Sequence, residues 1–430
     1  MKLGEITRKT GFWCLDYCKG SSVGKHYREI KRYSTPTDEM VQLRYDRLQI
    51  LIHHATKNTD HYRQYYGVTE LADFPVLYKY NIKQDYSAFL SSGFSKSELI
   101  RIQTSGSYGS PFTFYLSKVK KSRQIAEIIF YNRQALFDLG AKHVNIVTRK
   151  KTKFQQYIEN QVMVNAIFMD NQWLERQRVL LKKKNVRVIV AHPSALIPIA
   201  EYCESQKDTP DEFSFRSIIT IAEPLYDKQK VLLKRVFGAK VFSRYSMMET
   251  GVIAQDHLSD GKFQVNTSSY IVELLDIERD IPVKPGQMGR VVVTDLFSHA
   301  MPLIRYDTGD LALLSIENDG ILKLDRIIGR TVDSIYRPDG VRISPLWIDD
   351  VMDDMNSISL FQFVQKDRDK YLMRIVNKHD DSAEIIIEKR LRKYLGNNST
   401  IDFEYVDEIP PLPSGKRPFV LNEYNTTNGN

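Results

Sequence analysis

The sequence predicts an α/β protein. A large N-terminal domain, residues 1–329, is expected to hold mixed and parallel sheet with a β-rich subdomain, and residues 330–430 a small α+β C-terminal domain. Three observations point there. Strand-like and helical segments alternate from Val144 to Met247. Near Phe263 the pattern changes to alternating strands joined by Gly and Pro turns, and it changes again after Gly329-Arg330. A length of 430 residues also fits two or three folding units better than one.

Hydrophobic residues make up 42% of the chain and charged residues 27%, enough to bury a sizeable core. Only the polar tail Asn425–Asn430 reads as lacking one. The net charge of +8 favours an anionic partner, whether nucleic acid, membrane or small molecule. The densest basic run, Lys182-Lys183-Lys184, reads as the solvated end of a helix, and without interleaved aromatics it gives no reason to expect nucleic acid. The three cysteines fit no zinc spacing; Cys14 and Cys18 share one face if their segment is helical, and Cys203 is remote. A reduced, cytoplasmic compartment is expected, with no secretory signal after Met1 and no membrane-spanning run. Gly11-Phe12-Trp13-Cys14-Leu15 is read as packing on its own domain.

In chain order, Thr37–Tyr66 has the apolar spacing of a helix, with Pro36 near its start. Ile100–Gln103 and Phe112–Leu116 read as an outgoing and a returning strand. Val144–Thr148, Val186–Ala191, Ser217–Ile221 and Lys240–Arg244 read as buried strands. A helix is predicted over Asp227–Phe237, stopped by Gly238. Parallel sheets bind ligands beyond the carboxyl ends of their strands. A site is therefore expected at His192-Pro193-Ser194, Glu223-Pro224 and Ser246-Met247-Met248-Glu249. Tyr270–Leu275 and Gly289–Thr294 read as strands of the β-rich part, which runs to about Ile328.

Three segments carry chemistry. Thr104-Ser105-Gly106-Ser107-Tyr108-Gly109-Ser110-Pro111 sets glycines among hydroxyls, so backbone N–H groups can turn inward around phosphate oxygens; it lacks the lysine and spacing of a Walker loop. Pro302-Leu303-Ile304-Arg305-Tyr306-Asp307-Thr308-Gly309-Asp310 closes on a carboxylate that can accept from both hydroxyls of a ribose. Pro410-Pro411-Leu412-Pro413-Ser414-Gly415-Lys416-Arg417 sets a lysine at the tip of a constrained loop. Alone, these are a surface turn, a turn aspartate and a solvated lysine.

Taken in order, the segments resemble the adenylate-forming acyl-CoA synthetase superfamily, especially the phenylacetate–CoA ligase branch and its CapK-like relatives of capsule-polysaccharide loci. The resemblance runs from about Leu48 to Val420. It implies the adenylate-forming fold with a mobile C-terminal domain, and a phosphate loop at Thr104, Ser105, Gly106, Ser107 and Gly109. Ala222-Glu223-Pro224 is similar to the family's adenine-side turn, and Tyr245-Ser246-Met247-Met248-Glu249 to the segment whose tyrosine lies near adenine and whose glutamate holds magnesium. By the same resemblance Asp310 is the ribose ligand, Arg330 lies near the ribose, Asp333 belongs to the hinge and Lys416 is the mobile catalytic lysine.

The implied reaction joins a carboxylic acid to AMP from ATP with Mg2+, then transfers the acyl group to coenzyme A or to an amine or hydroxyl acceptor, a sugar among them. Two departures stand out: Tyr108 replaces the family's usual threonine, and Ser246 and Met248 replace its usual glycine and threonine. They motivate a second reading, a degenerate member that binds nucleotide or a biosynthetic partner without catalysis. Retention of Glu249, Asp310, Arg330 and Lys416 opposes it. His192 is read as a structural histidine, with the acyl pocket as its alternative role.

Overall fold

The computed structural model describes residues 2–35, 37–104, 112–147, 151–166, 168–183, 186–257, 259, 261–276, 279–315, 321–328, 335–343, 347–352, 355, 358, 360–376, 381–409 and 420–424. The chain folds as two compact units, each described below by itself. The first takes its described residues from 1–103, 113–141 and 242–329, and the second chiefly from 142–241 and 330–430.

In the first unit, helices Leu3–Cys18, Ser22–Arg32 and Asp38–Asn58 precede the paired strands Leu99–Thr104 and Phe112–Ser117 and the helix Lys118–Gln134. Thr37 caps the third helix by accepting from the Met40 N–H at 3.2 Å. The helix expected to continue to Tyr66 ends at Asn58. Thr59 is extended (φ −128°, ψ 140°) and its hydroxyl donates to Ala55 O at 2.8 Å, so a local side-chain bond closes the helix before the short turn Asp60–Arg63.

The antiparallel part of this unit orders its strands Tyr270–Leu275, Met288–Asp295, Tyr306–Leu314, Lys323–Ile328, Phe263–Val265, Gly251–Asp256 and Lys240–Met247. Antiparallel pairing thus begins before the expected Phe263, because Lys240–Met247 folds back on Gly251–Asp256 through a tight turn. Ile253, Val265, Leu274, Val291, Val293, Ala312 and Leu324 fill its core. Phe12 and Trp13 pack against the cluster of Val23, Ile30, Ala126 and Phe130, so the apolar patch near the start covers its own unit.

In the second unit, Ser217–Ile221, Val188–Ala191, His143–Ile146 and Gln161–Val164 lie side by side and parallel. The last of these strands was not expected from the sequence. Its burial alternates too weakly, and Gln161 spends its polar end on Asn145 at 3.0 Å. Helices Asn171–Leu181, Pro193–Ser205 and Asp227–Phe237 pack with the strands around Val144, Ile189, Leu196 and Ile218. Gly238 ends the last helix with φ +63°, where a Cβ would lie 2.9 Å from Pro210 Cβ. Lys182 is a helix end as expected, paired with Asp208 at 2.6 Å and with Glu212.

Four further strands of this unit form a sheet, ordered Thr400–Tyr405, Lys370–Val376, Leu360–Gln365 and Val420–Asn422, with the helix Asp381–Leu395. Trp347, Phe363, Tyr371, Met373, Ile387 and Leu391 form its core. Among the described residues, no helix is long and apolar enough to cross a membrane.

Candidate active site

Two motif residues that lie far apart in sequence meet in the first unit. Tyr245, near the end of Lys240–Met247, donates its phenol hydrogen to Asp310 Oδ2 at 2.8 Å. Asp310 sits in the strand Tyr306–Leu314, where Gly309 takes φ +76° and the ladder to Met288–Asp295 shifts register between Arg290 and Val292. The irregularity is locally tied: the Asp310 N–H donates to Thr308 Oγ1 at 3.2 Å, and that hydroxyl donates to Val291 O at 2.9 Å. Asp307 Oδ1 accepts from the Gly309 N–H at 2.8 Å while Arg290 grips its other oxygen at 2.7 Å. Burial holds the Asp307 carboxyl above the usual carboxylate range, against the pull of these partners.

Glu249 occupies the turn between Lys240–Met247 and Gly251–Asp256, only 2% exposed. Tyr306 donates to Glu249 Oε1 at 3.2 Å. One strand, Tyr306–Leu314, therefore presents Tyr306 to Glu249 and Asp310 to Tyr245. Tyr306 was missed as a site residue by sequence reasoning, although it lies inside the Arg305-Tyr306-Asp307 stretch already singled out.

In the second unit, Ala222 takes the left-handed φ +66° directly after the strand Ser217–Ile221 and so turns the chain into Glu223-Pro224. Both Glu223 oxygens face Ser194, accepting from its N–H at 2.8 Å and its hydroxyl at 2.7 Å. A carboxylate thus caps the N-terminal turn of Pro193–Ser205, where the helix dipole favours negative charge. The Glu223 carboxylate is engaged within its own unit, and what the Ala222-Glu223-Pro224 turn offers a ligand is chiefly backbone. His192 precedes this helix, buried, with Nδ1 unpartnered; burial pushes its pKa down, so the ring is neutral near pH 7.

Thr104 ends its strand. Ser105, Gly106, Ser107, Tyr108, Gly109, Arg330, Asp333 and Lys416 lie outside the described residues. Among the described residues, no three His, Cys, Asp or Glu side chains gather as a metal site. Glu249 alone suits magnesium that arrives with a nucleotide, since that ion takes one or two carboxylates and completes its shell with phosphate oxygens and water.

Comparison with known proteins finds relatives along nearly the whole chain. The chain is 26% identical over 427 residues to Protein CapK of Staphylococcus aureus, covering 92% of each. Along nearly its whole length the chain is similar to that protein. Residues 335–423 match the CapK C-terminal domain, which corresponds to the four-stranded sheet and its helix. The chain is also 23% identical over 405 residues to the phenylacetate–coenzyme A ligase of Pseudomonas putida, covering 90% of this chain and 86% of the relative. Among solved structures it is similar to 2-hydroxyisobutyryl-CoA ligase in complex with 2-HIB-AMP and CoA, with TM-score 0.60 at 20% identity, covering 92% of each chain. The fold is that of the adenylate-forming ligases.

Proposed function

We propose that this chain is an adenylate-forming ligase. It activates a carboxylic acid with ATP and passes the acyl group to coenzyme A or to an amine or hydroxyl acceptor. The observation that carries the reading is the Tyr245–Asp310 hydrogen bond beside a buried Glu249, in a chain that aligns along nearly its whole length with acid–CoA ligases.

In the first half-reaction a substrate carboxylate oxygen bonds to the α-phosphorus, the bond to the bridging oxygen breaks, and pyrophosphate leaves. In the second, the thiol, amine or hydroxyl loses its proton and bonds to the acyl carbon as AMP departs. Asp310 accepts from the ribose hydroxyls, and Tyr245, by donating to Oδ2, fixes the rotamer in which it does so. Magnesium bound with the nucleotide neutralises phosphate charge, and Glu249 is the residue that would hold it. Lys416 supplies a point charge to the pentavalent phosphorus, and the backbone of 104–109 cradles the phosphates.

Residues 330–430 act as the small mobile domain that delivers Lys416, with Asp333 in the hinge and Arg330 near the ribose. The match of 335–423 to a named C-terminal domain supports that boundary. A role in surface-polysaccharide synthesis, with a sugar as acceptor, is the finer reading that the CapK relationship suggests.

The test is ATP–pyrophosphate exchange and AMP release with a panel of aryl, hydroxy and amino acids, each with and without coenzyme A. Exchange that depends on one acid class is expected. Micromolar ATP binding with no turnover on any acid would instead favour the non-catalytic reading motivated by Tyr108 and Met248.

A further inference from the structure

The helix Lys118–Gln134 buries a polar stripe. Lys120, Gln124 and Glu127 recur at helical spacing on one face, and each is at most 5% exposed. Charged side chains are almost never buried so completely unless partnered, and isolated burial would cost several kcal/mol per ion, about. Here each is partnered, and Gln124 and Glu127 reach the turn that carries Glu249.

Gln124 Nε2 donates to Met248 O at 3.1 Å and approaches Glu249 O at 3.5 Å. Tyr270 donates its phenol hydrogen to Thr250 O at 2.6 Å. Glu127 Oε2 accepts from the Val252 N–H at 3.2 Å and lies 3.0 Å from Tyr270 Oη. Side chains thus hold backbone groups of Met248, Thr250 and Val252, on both sides of Glu249.

The frame is itself braced. Lys120 Nζ pairs with Asp295 Oδ2 at 2.6 Å and reaches Tyr270 Oη at 3.3 Å, with all three side chains at most 1% exposed. Arg123 is anchored on Glu29 at 2.5 Å and on Ser269 Oγ at 2.9 Å. Gly251 makes the close approach feasible: its φ is +114°, and a Cβ there would lie 2.4 Å from Glu127 Oε2 and 2.8 Å from Tyr270 Oη. An ordinary hairpin turn needs none of this; its backbone groups would be satisfied by water.

We infer that Gln124, Glu127 and Tyr270 are positioning residues that fix the Met248–Val252 backbone and thereby aim the Glu249 carboxylate at the magnesium carried by the nucleotide. The functional half of the inference rests on the proposed ligase reading. These residues touch no substrate; they act through Glu249.

The test uses the full chain and two readouts. Amide hydrogen exchange is followed across residues 248–252 in the wild type, Tyr270→Phe and Gln124→Met. Tyr270→Phe keeps the ring volume but strips the bond to Thr250 O, so exchange in this turn should accelerate about tenfold, while the helix Lys118–Gln134 keeps its protection. In ATP–pyrophosphate exchange the same variant should need about tenfold more Mg2+ for half-saturation, with the rate largely restored at saturating Mg2+. The double variant Tyr270→Phe/Glu249→Gln should be no worse than Glu249→Gln alone, because both changes act on one carboxylate. A general loss of stability would not move the Mg2+ dependence. Wild-type exchange rates at 248–252 in both single variants would overturn the inference, as would fully additive losses in the double variant. If the wild type catalyses no exchange with any acid, the ligase reading fails by itself, and the hydrogen-exchange measurement alone decides whether these residues hold the turn.

Discussion

Tyr245 and Asp310 are joined by a 2.8 Å hydrogen bond that links the end of one strand to an irregular point in another. The bond constrains a carboxylate that is only 8% exposed, and a constrained acceptor loses less freedom when a ribose binds. Asp310→Ala is therefore expected to weaken ATP binding by about one to two orders of magnitude, the worth of a charge-assisted hydrogen bond. Tyr245→Phe should weaken it less, because it loosens Asp310 without removing it. Calorimetric titration with ATP checks both; an unchanged Asp310→Ala affinity would remove the residue from the ribose role.

Lys416→Ala is expected to slow adenylate formation by about two to three orders of magnitude while leaving ATP affinity nearly intact, since a lysine delivered for one step acts on the transition state. Single-turnover measurement of acyl-adenylate, alongside nucleotide binding, separates the two effects. Near-normal ATP–pyrophosphate exchange in this variant would refute the assignment.

Gly251→Ala should destabilise the first unit by about 2 kcal/mol or more, combining a left-handed backbone with a Cβ 2.4 Å from Glu127 Oε2. Lys120→Met should destabilise by about 3–5 kcal/mol, because it leaves Asp295 buried without its cation. Urea unfolding at fixed pH measures both. A Lys120→Met variant as stable as the wild type would show that the pair is dispensable to the fold.

His26 gives a pH signature. Burial first, then the neighbouring Arg123 and Arg47, push its pKa down from 6.5 to about 4, against the opposing pull of Glu29. Its edge packs against Phe297, with ring centroids 5.6 Å apart. Above pH 6.5 the ring is neutral in both the folded and the unfolded chain, and its contribution to stability is fully present. As the pH falls from 6.5 to 4 the unfolded chain takes up the proton first, and that contribution is lost. The midpoint of thermal unfolding should fall across this window, and His26→Gln should flatten the slope there.

The thiols should sort by exposure. Cys14 and Cys18 are exposed on the first helix, whereas Cys203 is buried and its thiol is pushed up to about 12 by burial and Asp208. A thiol reagent at pH 8 should label Cys14 and Cys18 quickly and Cys203 only on unfolding, as peptide mass mapping would show.

Local pattern carried a good part of this protein. The helix Asp227–Phe237 with its Gly238 stop, the strand Ser217–Ile221 and the paired strands Leu99–Thr104 and Phe112–Ser117 follow from periodicity, capping and residue type, which act over a few residues. Asp310 stood out locally as a carboxylate at a glycine turn and Glu249 as one near a strand end, while their expected roles came from the resemblance of the ordered segments. Tertiary structure alone decided the rest. It placed Tyr245 on Asp310, Tyr306 on Glu249 and both Glu223 oxygens on Ser194. It also made Lys120, Gln124 and Glu127, which the sequence analysis did not single out, the buried frame of the Glu249 turn. Burial of a polar side chain depends on partners far along the chain, and for Glu127 and Tyr270 that partnership spans residues that no local rule connects.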